Sequence, residues 1–111
     1  MNQFISLQQA IDINSRFRAN KENVLANAYK NQKILPVCES FDKSAINDLL
    51  AQSDCSGIRI YFSMGIDYKV KVTIVGFDSN EKDILPTNEE LIVEEGKRCP
   101  DDCPPSSPLN S

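Results

Sequence analysis

Residues 58–74 decide the fold, and they read Ile-Arg-Ile-Tyr-Phe-Ser-Met-Gly-Ile-Asp-Tyr-Lys-Val-Lys-Val-Thr-Ile. Apolar and polar side chains alternate up to Met64 and again from Tyr68, with Gly65-Ile66-Asp67 between the two runs. A period of two is typical of a half-buried strand, so two such runs joined by a short turn predict a β-hairpin. The alternation predicts an inward face made of Ile58, Ile60, Phe62, Met64, Val70, Val72 and Ile74.

Beyond Ile74 the alternation fails, because Val75 and Phe77 are apolar on the opposite face. We therefore expect both sides of the sheet to be covered at this end. Gly76, between them, predicts a β-bulge.

The outward face of the hairpin is basic and carries an aromatic ring. Such a face could stack single-stranded bases or bind an acidic peptide. The alternative is a solvated sheet face on which these side chains form cross-strand pairs. The candidate binding residues are Arg59, Tyr61, Lys69, Lys71 and Thr73.

Two helices are predicted before the hairpin. Ser6-Leu7-Gln8-Gln9 is a capping-box pattern, and apolar residues recur after it at helical spacing, which predicts one helix from about Leu7 to Tyr29. Asp42 is the predicted N-cap of a second, shorter helix that ends before the turn residues 53–57.

The predicted fold class is therefore α+β, with two helices packed on a small antiparallel sheet that contains the hairpin. Residues 91–93 could add a short third strand. We expect one continuous core that contains Phe17, Leu25, Ile46, Leu49, Leu50, Ile58, Ile60, Phe62, Val70, Val72 and Ile74.

Charge and composition exclude several mechanisms. The 111 residues carry a net charge of −4, which argues against nucleic-acid binding because phosphate contacts need an excess of Lys and Arg. The chain has no histidine, so Ser-His-Asp triads, Cys-His dyads and imidazole metal ligands are excluded. Neither a signal peptide nor an apolar run that could span a membrane is apparent, and we expect a cytoplasmic protein.

The last fifteen residues, 97–111, form a tail rich in cysteine and proline after a predicted domain of residues 1–96. Cys99 and Cys103 are candidates for a metal site or a disulfide, and we expect a helical turn to bring them together, with Pro100 at its first position. Leu109 is the one side chain of this tail that we expect to be buried. We therefore expect deletion of the tail to change the melting temperature by only a few degrees.

Several segments between residues 38 and 105 together resemble a family of short uncharacterised proteins from Bacteroidota with a Cys-Pro-rich tail. The resemblance implies no reaction, cofactor or ligand. Its relatives often have Asn-Gly in the loop that follows the second strand, where this chain has Ser79-Asn80-Glu81-Lys82, so the turn type is not transferred. The segments that carry it are 40–43, 49–52, Gly57-Ile58-Arg59-Ile60-Tyr61-Phe62, Ile74-Val75-Gly76-Phe77-Asp78, Cys99-Pro100 and Cys103-Pro104-Pro105.

Because no catalytic set is recognisable, the sequence favours a non-catalytic binding or assembly module without a cofactor. We expect an unidentified protein or peptide partner, or a homodimer formed through an open sheet edge. The alternative is a small metal- or thiol-dependent protein that uses Cys99 and Cys103. A third hypothesis, an enzyme that uses carboxylates or tyrosine, would require a pocket lined with such groups.

Overall fold

The computed structural model describes residues 3–87 and 91–111. It contains two α-helices, one 3-10 helix and five strands. In chain order these are α1 (Leu7–Asn20), the 3-10 helix (Asn27–Tyr29), β1 (Cys38–Ser40), α2 (Lys43–Leu50), β2 (Cys55–Met64), β3 (Val70–Asp78), β4 (Asp83–Ile84) and β5 (Lys97–Cys99).

The strands form two antiparallel sheets, and the α+β class is confirmed. β2 and β3 make the predicted hairpin, in which Ile60 lies opposite Ile74 and Met64 opposite Val70. β4 pairs with the other side of β3, so the larger sheet has the order β2-β3-β4. β1 pairs with β5 in a separate two-stranded sheet that the sequence did not predict.

The first helix begins where the capping box predicts but ends earlier than expected. Ser6 accepts from the Gln9 amide, and the Gln9 side chain accepts from the Ser6 amide. The helix stops at Asn20, whereas the sequence predicted a continuous helix to Tyr29. Asn14 and Asn20 donate to the carbonyls four residues before them, and such back-bonding weakens a helix that has no buried residue to hold it.

The second helix packs on the sheet through its C-terminal end. Asp42 is its N-cap, although the Asp42 side chain makes no capping hydrogen bond. The end of the helix lies over Gly76, where a Cβ atom would come within 2.8 Å of Gln52 Oε1. Gly76 therefore permits close approach of α2. It marks no bulge, because the irregularity lies in β2 between Cys55 and Gly57.

The core is smaller than the sequence predicted. Leu49 and Ile74 are buried as expected, but Phe17, Leu50, Ile60 and Phe62 are exposed. The alternation correctly orients Ile60 and Phe62 to one face, yet α2 covers only the Gly76 end of that face. The rest of the predicted set is half-buried, and the buried hydrophobic residues are Ile34, Leu49, Ile74, Val75 and Cys99.

The third strand of the hairpin sheet is β4, not residues 91–93. Val93 instead makes a single bridge, in which its amide and carbonyl both bond Ile74, at 2.9 and 2.8 Å. This bridge continues the line of partners along the side of β3 that faces away from β2. The sequence signal was weak there because one paired residue produces no alternation.

Candidate functional site

Arg59 and Tyr61 of the predicted binding face converge on one carboxylate. Both donate hydrogen bonds to Asp83 of β4, and Arg59 also donates to the Glu81 carbonyl at 3.1 Å. The Arg59 guanidinium lies 4.9 Å from the centre of the Phe77 ring. Since β3 separates β2 from β4, these side chains must cross β3, which accounts for the burial of Val75 on that face.

This Arg59-Tyr61-Asp83 cluster shifts the acidity of its members. The pKa of Asp83 lies below 3.8 because Tyr61, and next Arg59, donate to its carboxylate. The pKa of Tyr61 lies above 10.0, chiefly because its phenol donates to Asp83. Between pH 3.8 and pH 10.0 the cluster therefore contains a neutral Tyr61 phenol and a charged Asp83 carboxylate.

The remaining predicted binding residues do not form a continuous basic surface. Lys71 pairs with Glu94 at 2.6 Å, and this hydrogen bond raises the pKa of its ammonium group. Lys69 precedes β3 and lies 4.0 Å from the Asp67 carboxylate. Thr73 is half-buried opposite Tyr61. Carboxylates thus accompany Arg59, Lys69 and Lys71, an arrangement that favours cross-strand pairing over capture of an acidic ligand.

A different surface stands out on β2. The amides of Val70, Val72 and Ile74 point away from β2, to the Ile34 carbonyl, the Glu39 carboxylate and the Val93 carbonyl. Opposed residues in an antiparallel pair turn their backbone groups the same way, either toward or away from each other. The backbone groups of Met64, Phe62 and Ile60 therefore point outward from β2, as do those of Ile58 opposite Gly76.

Three of these residues expose their apolar side chains, and Ile58 is half-buried. The exposed fractions are 51% for Ile60, 82% for Phe62 and 57% for Met64. In the described part of the chain, no strand pairs with the outer side of β2. We call this surface the β2 edge, defined by the outward backbone groups and apolar side chains of Ile58, Ile60, Phe62 and Met64. An exposed, apolar strand edge is a template for pairing with another strand.

An apolar cavity of about 310 Å³ lies near the Met64 end of β2. The rings of Tyr29 and Tyr68 meet edge to face beside it, with their centres 5.6 Å apart. Its walls are almost wholly hydrophobic, so it extends the apolar surface of the β2 edge. The lining residues are Leu25, Tyr29, Ile34, Leu35, Met64, Tyr68 and Val70.

The tail cysteines are joined in a disulfide, with the Cα atoms of Cys99 and Cys103 4.5 Å apart. Cys99 is buried and belongs to β5, whereas the sequence placed it in a helical turn. Cys103 is exposed. The backbone between them closes a turn in which the Asp102 amide donates to the Arg98 carbonyl at 2.9 Å, and Pro100 stands in that turn rather than in a helix.

Sequence reasoning missed Arg98, which anchors the tail. Its guanidinium donates to the carbonyls of Val70, Lys33 and Ile34 at 2.9, 2.9 and 2.7 Å. Lys33 in turn pairs with Asp101 at 2.6 Å and lowers the pKa of that carboxyl. The tail is therefore bonded to the hairpin sheet, and the expectation that only Leu109 could be buried there is wrong for Cys99.

The part of the chain that the structure describes offers neither a metal site nor a membrane-spanning helix. There, no group of three or more Cys, Asp or Glu side chains is placed to hold a metal ion. Neither helix within residues 3–87 and 91–111 has the length and apolar character needed to cross a bilayer.

We expect Asp83→Asn to lower the pKa of Tyr61 toward 10.0, because the substitution removes the charged acceptor that favours the protonated phenol. The raised pKa means that the stabilisation by Tyr61 is complete below pH 10.0 and is lost as the pH rises through the raised value. The lowered pKa of Asp83 gives the opposite sign: its stabilisation is lost as the pH falls below 3.8.

NMR titration of the Tyr61 ring measures this shift. Asp48→Asn, an exposed carboxylate on α2, is the matched control and should leave the Tyr61 midpoint unchanged. Equal midpoints in the parent and Asp83→Asn proteins would contradict the hydrogen bond between Tyr61 and Asp83.

Comparison with known proteins adds no relative. No family model matches the chain, and neither the curated proteins nor the solved structures contain a significant match. Membership in the Bacteroidota family with a Cys-Pro-rich tail therefore stays a prediction.

Proposed function

We propose that this protein is a non-catalytic assembly module in which the β2 edges of two copies pair antiparallel. The observation that carries the proposal is the coincidence of two features at the same positions. Ile60, Phe62 and Met64 direct unpaired backbone groups to the outer side of β2, and their exposed apolar side chains lie together on one face of the sheet beside that edge. A second strand paired with β2 would form hydrogen bonds with these backbone groups and would pack its own side chains beside the exposed apolar ones.

The accessible surface of the chain is larger than expected for a monomer of its mass, which supports the proposal of a partner. Its accessible surface is 8200 Å², whereas a folded monomer of 12.4 kDa typically exposes about 6100 Å². The radius of gyration is 16.0 Å, against about 13 Å for a compact domain of this length. The excess of about 2000 Å² per chain is larger than the roughly 800 Å² that each partner buries in an interface of standard size. A single copy therefore leaves uncovered an area sufficient for an interface.

A second copy is the occupant that fits the β2 edge. A two-fold axis at Tyr61 would place Ile60 opposite Phe62 of the other copy and Ile58 opposite Met64, so that all four outward residues pair. Arg59 would face Ser63, and no like charges would meet across the interface. The product is a continuous six-stranded sheet whose central apolar strip comes from both chains.

We expect Phe62→Lys to abolish the dimer without unfolding the monomer, because Phe62 is 82% exposed and lysine on an edge strand disfavours pairing. At about 100 μM, sedimentation should give a dimer for the parent protein and a monomer for the variant, with a dissociation constant at least about tenfold higher. Ile66→Lys is the matched control. Ile66 is fully exposed in the turn outside β2, so this variant should remain dimeric.

Two results would overturn the proposal. One is a parent protein that sediments as a monomer at this concentration. The other is equal weakening by Phe62→Lys and Ile66→Lys, which would indicate a charge effect unrelated to the β2 edge. If the parent is a monomer, the dimer is excluded. A labelled peptide that then slows hydrogen exchange of the β2 amides would show that the partner at this edge is a peptide.

The cytoplasm is the compartment that we propose for this module. There the Cys99–Cys103 pair would form only transiently, as is usual for cytosolic disulfides. The alternative function, a small thiol-dependent protein, is supported by the disulfide between these residues.

A further inference from the structure

We propose that Cys38, Cys99 and Cys103 form a thiol–disulfide exchange site in which Cys99 changes its bonding partner. Cys38 lies directly opposite Cys99 in the pairing of β1 with β5, and Cys99 is already bonded to Cys103. Cys38 is a free thiol. A thiol therefore stands beside a disulfide within the same small sheet. This inference is independent of the proposed dimer.

The pairing places the two sulfur-bearing side chains within reach. Directly opposed residues in an antiparallel pair share a face and have Cα atoms about 4.5–5.5 Å apart. A disulfide spans Cα atoms about 4.4–6.8 Å apart, so Cys38 can bond Cys99 with little backbone movement. Cys55 is the other free cysteine, and it lies at the start of β2, in the other sheet.

The exchange is redox-neutral. The Cys38 thiolate attacks the Cys99 Sγ, the Cys38–Cys99 bond forms, and the Cys99–Cys103 bond breaks with its electron pair on the Cys103 Sγ. Solvent carries the proton lost by Cys38 to Cys103. Cys103 is exposed and lines an open cavity of about 360 Å³ that Lys97 and Asp102 also border, so the released Cys103 thiol is accessible to solvent.

Each bond isomer has a different consequence. The bond seen in the structure closes a turn between residues four apart. The exchanged bond would join β1 to β5 and enclose residues 38–99, a much longer loop whose closure restricts the unfolded chain more. It would also leave Cys103 as an exposed thiol, available for a mixed disulfide with another thiol. Formation of the Cys38–Cys99 bond, which cross-links β1 to β5, is thus coupled to release of Cys103 as a reactive thiol in the tail.

Alkylation mapping tests the exchange. The oxidised protein is incubated at pH 8.5 and trapped by excess N-ethylmaleimide, which alkylates the free thiols and stops the exchange. It is then cleaved before Asp101 so that Cys99 and Cys103 fall in different peptides. We expect Cys103 to be labelled at least about tenfold more than in Cys38→Ser, which cannot exchange. Cys55→Ser is the matched control and should label Cys103 like the parent. Labelling of Cys103 at the Cys38→Ser level in the parent would overturn the proposal.

A second variant decides the question if Cys38→Ser does not fold. Cys103→Ser changes an exposed residue and leaves Cys38 opposite Cys99. Under oxidised glutathione it should form the Cys38–Cys99 bond and melt higher than its reduced form, by about 5 °C or more. Two thiols that are only glutathionylated, with no bond between them, would contradict the geometry on which the exchange depends.

Discussion

Deletion of residues 97–111 is expected to destabilise the fold severely. The deletion removes β5, the buried Cys99 and the three hydrogen bonds by which Arg98 holds Val70, Lys33 and Ile34. Loss of a strand that carries one buried side chain and a guanidinium with three hydrogen bonds should lower the free energy of unfolding by on the order of 3–5 kcal/mol. This reverses the expectation from sequence that the tail contributes little.

Thermal melting of two truncations measures the effect. The chain that ends at Gly96 should melt at least about 12 °C below the full-length protein, or be unfolded at room temperature. The chain that ends at Cys103 retains β5 and the disulfide and loses the bonds from Arg18 to the Leu109 and Ser111 carbonyls, which are exposed. It should melt within about 3 °C of full length. Similar melting of both truncations would contradict a structural role for β5.

Leu49→Ala is expected to be the most damaging single substitution in α2. Leu49 has 0% exposure and is the largest side chain that the structure buries completely. Truncation of a fully buried leucine removes transfer free energy and leaves a cavity, at a cost of about 2–5 kcal/mol. Since this core contains few buried residues, the loss is a large fraction of the total stability.

Leu50→Ala is the matched control, because Leu50 is the next residue of the same helix and is exposed. Urea unfolding should give a loss below about 1 kcal/mol for Leu50→Ala. The sequence made these leucines equivalent, as two members of one buried stripe. Equal losses in the two variants would show that α2 is rotated on the sheet relative to the structure.

Local patterns predicted the parts of the fold that depend on neighbouring residues. The hairpin follows from the alternation in residues 58–74, and the start of α1 follows from the capping box at Ser6. The small sheet of β1 and β5 could not be found in this way. Its strands are three residues each, too short to show a period, and their paired residues lie between 57 (Ser40 and Lys97) and 61 (Cys38 and Cys99) positions apart in the sequence.

Burial was harder to predict than orientation. Alternation places Ile60 and Phe62 on the same face, but it does not say whether another layer covers that face. The covering layer is α2, and its short length leaves these residues exposed. The exposure of side chains that alternation directs inward is the reason for proposing a partner at this face.

The candidate site was predicted in part. Arg59 and Tyr61 share a face as expected, while their partner Asp83 lies in a segment that reads as a loop. Like Arg98, Asp83 acts through a tertiary contact that is distant in sequence, and no spacing rule predicts such contacts. The opposite charges of Arg59 and Asp83 were the available signal, although several other carboxylates follow Asp78.

Hydrogen exchange of the β2 amides tests the assembly proposal most directly. The amides of Arg59 and Tyr61 point toward β3 and should be protected at every protein concentration, because Ile60, which lies between them, points outward. The amides of Ile60 and Phe62 point outward, so we expect them to exchange rapidly in dilute protein and to become protected as the concentration rises and the dimer forms. Exchange at Ile60 and Phe62 that is equally fast at all concentrations, while Arg59 and Tyr61 stay protected, would contradict pairing through the β2 edge.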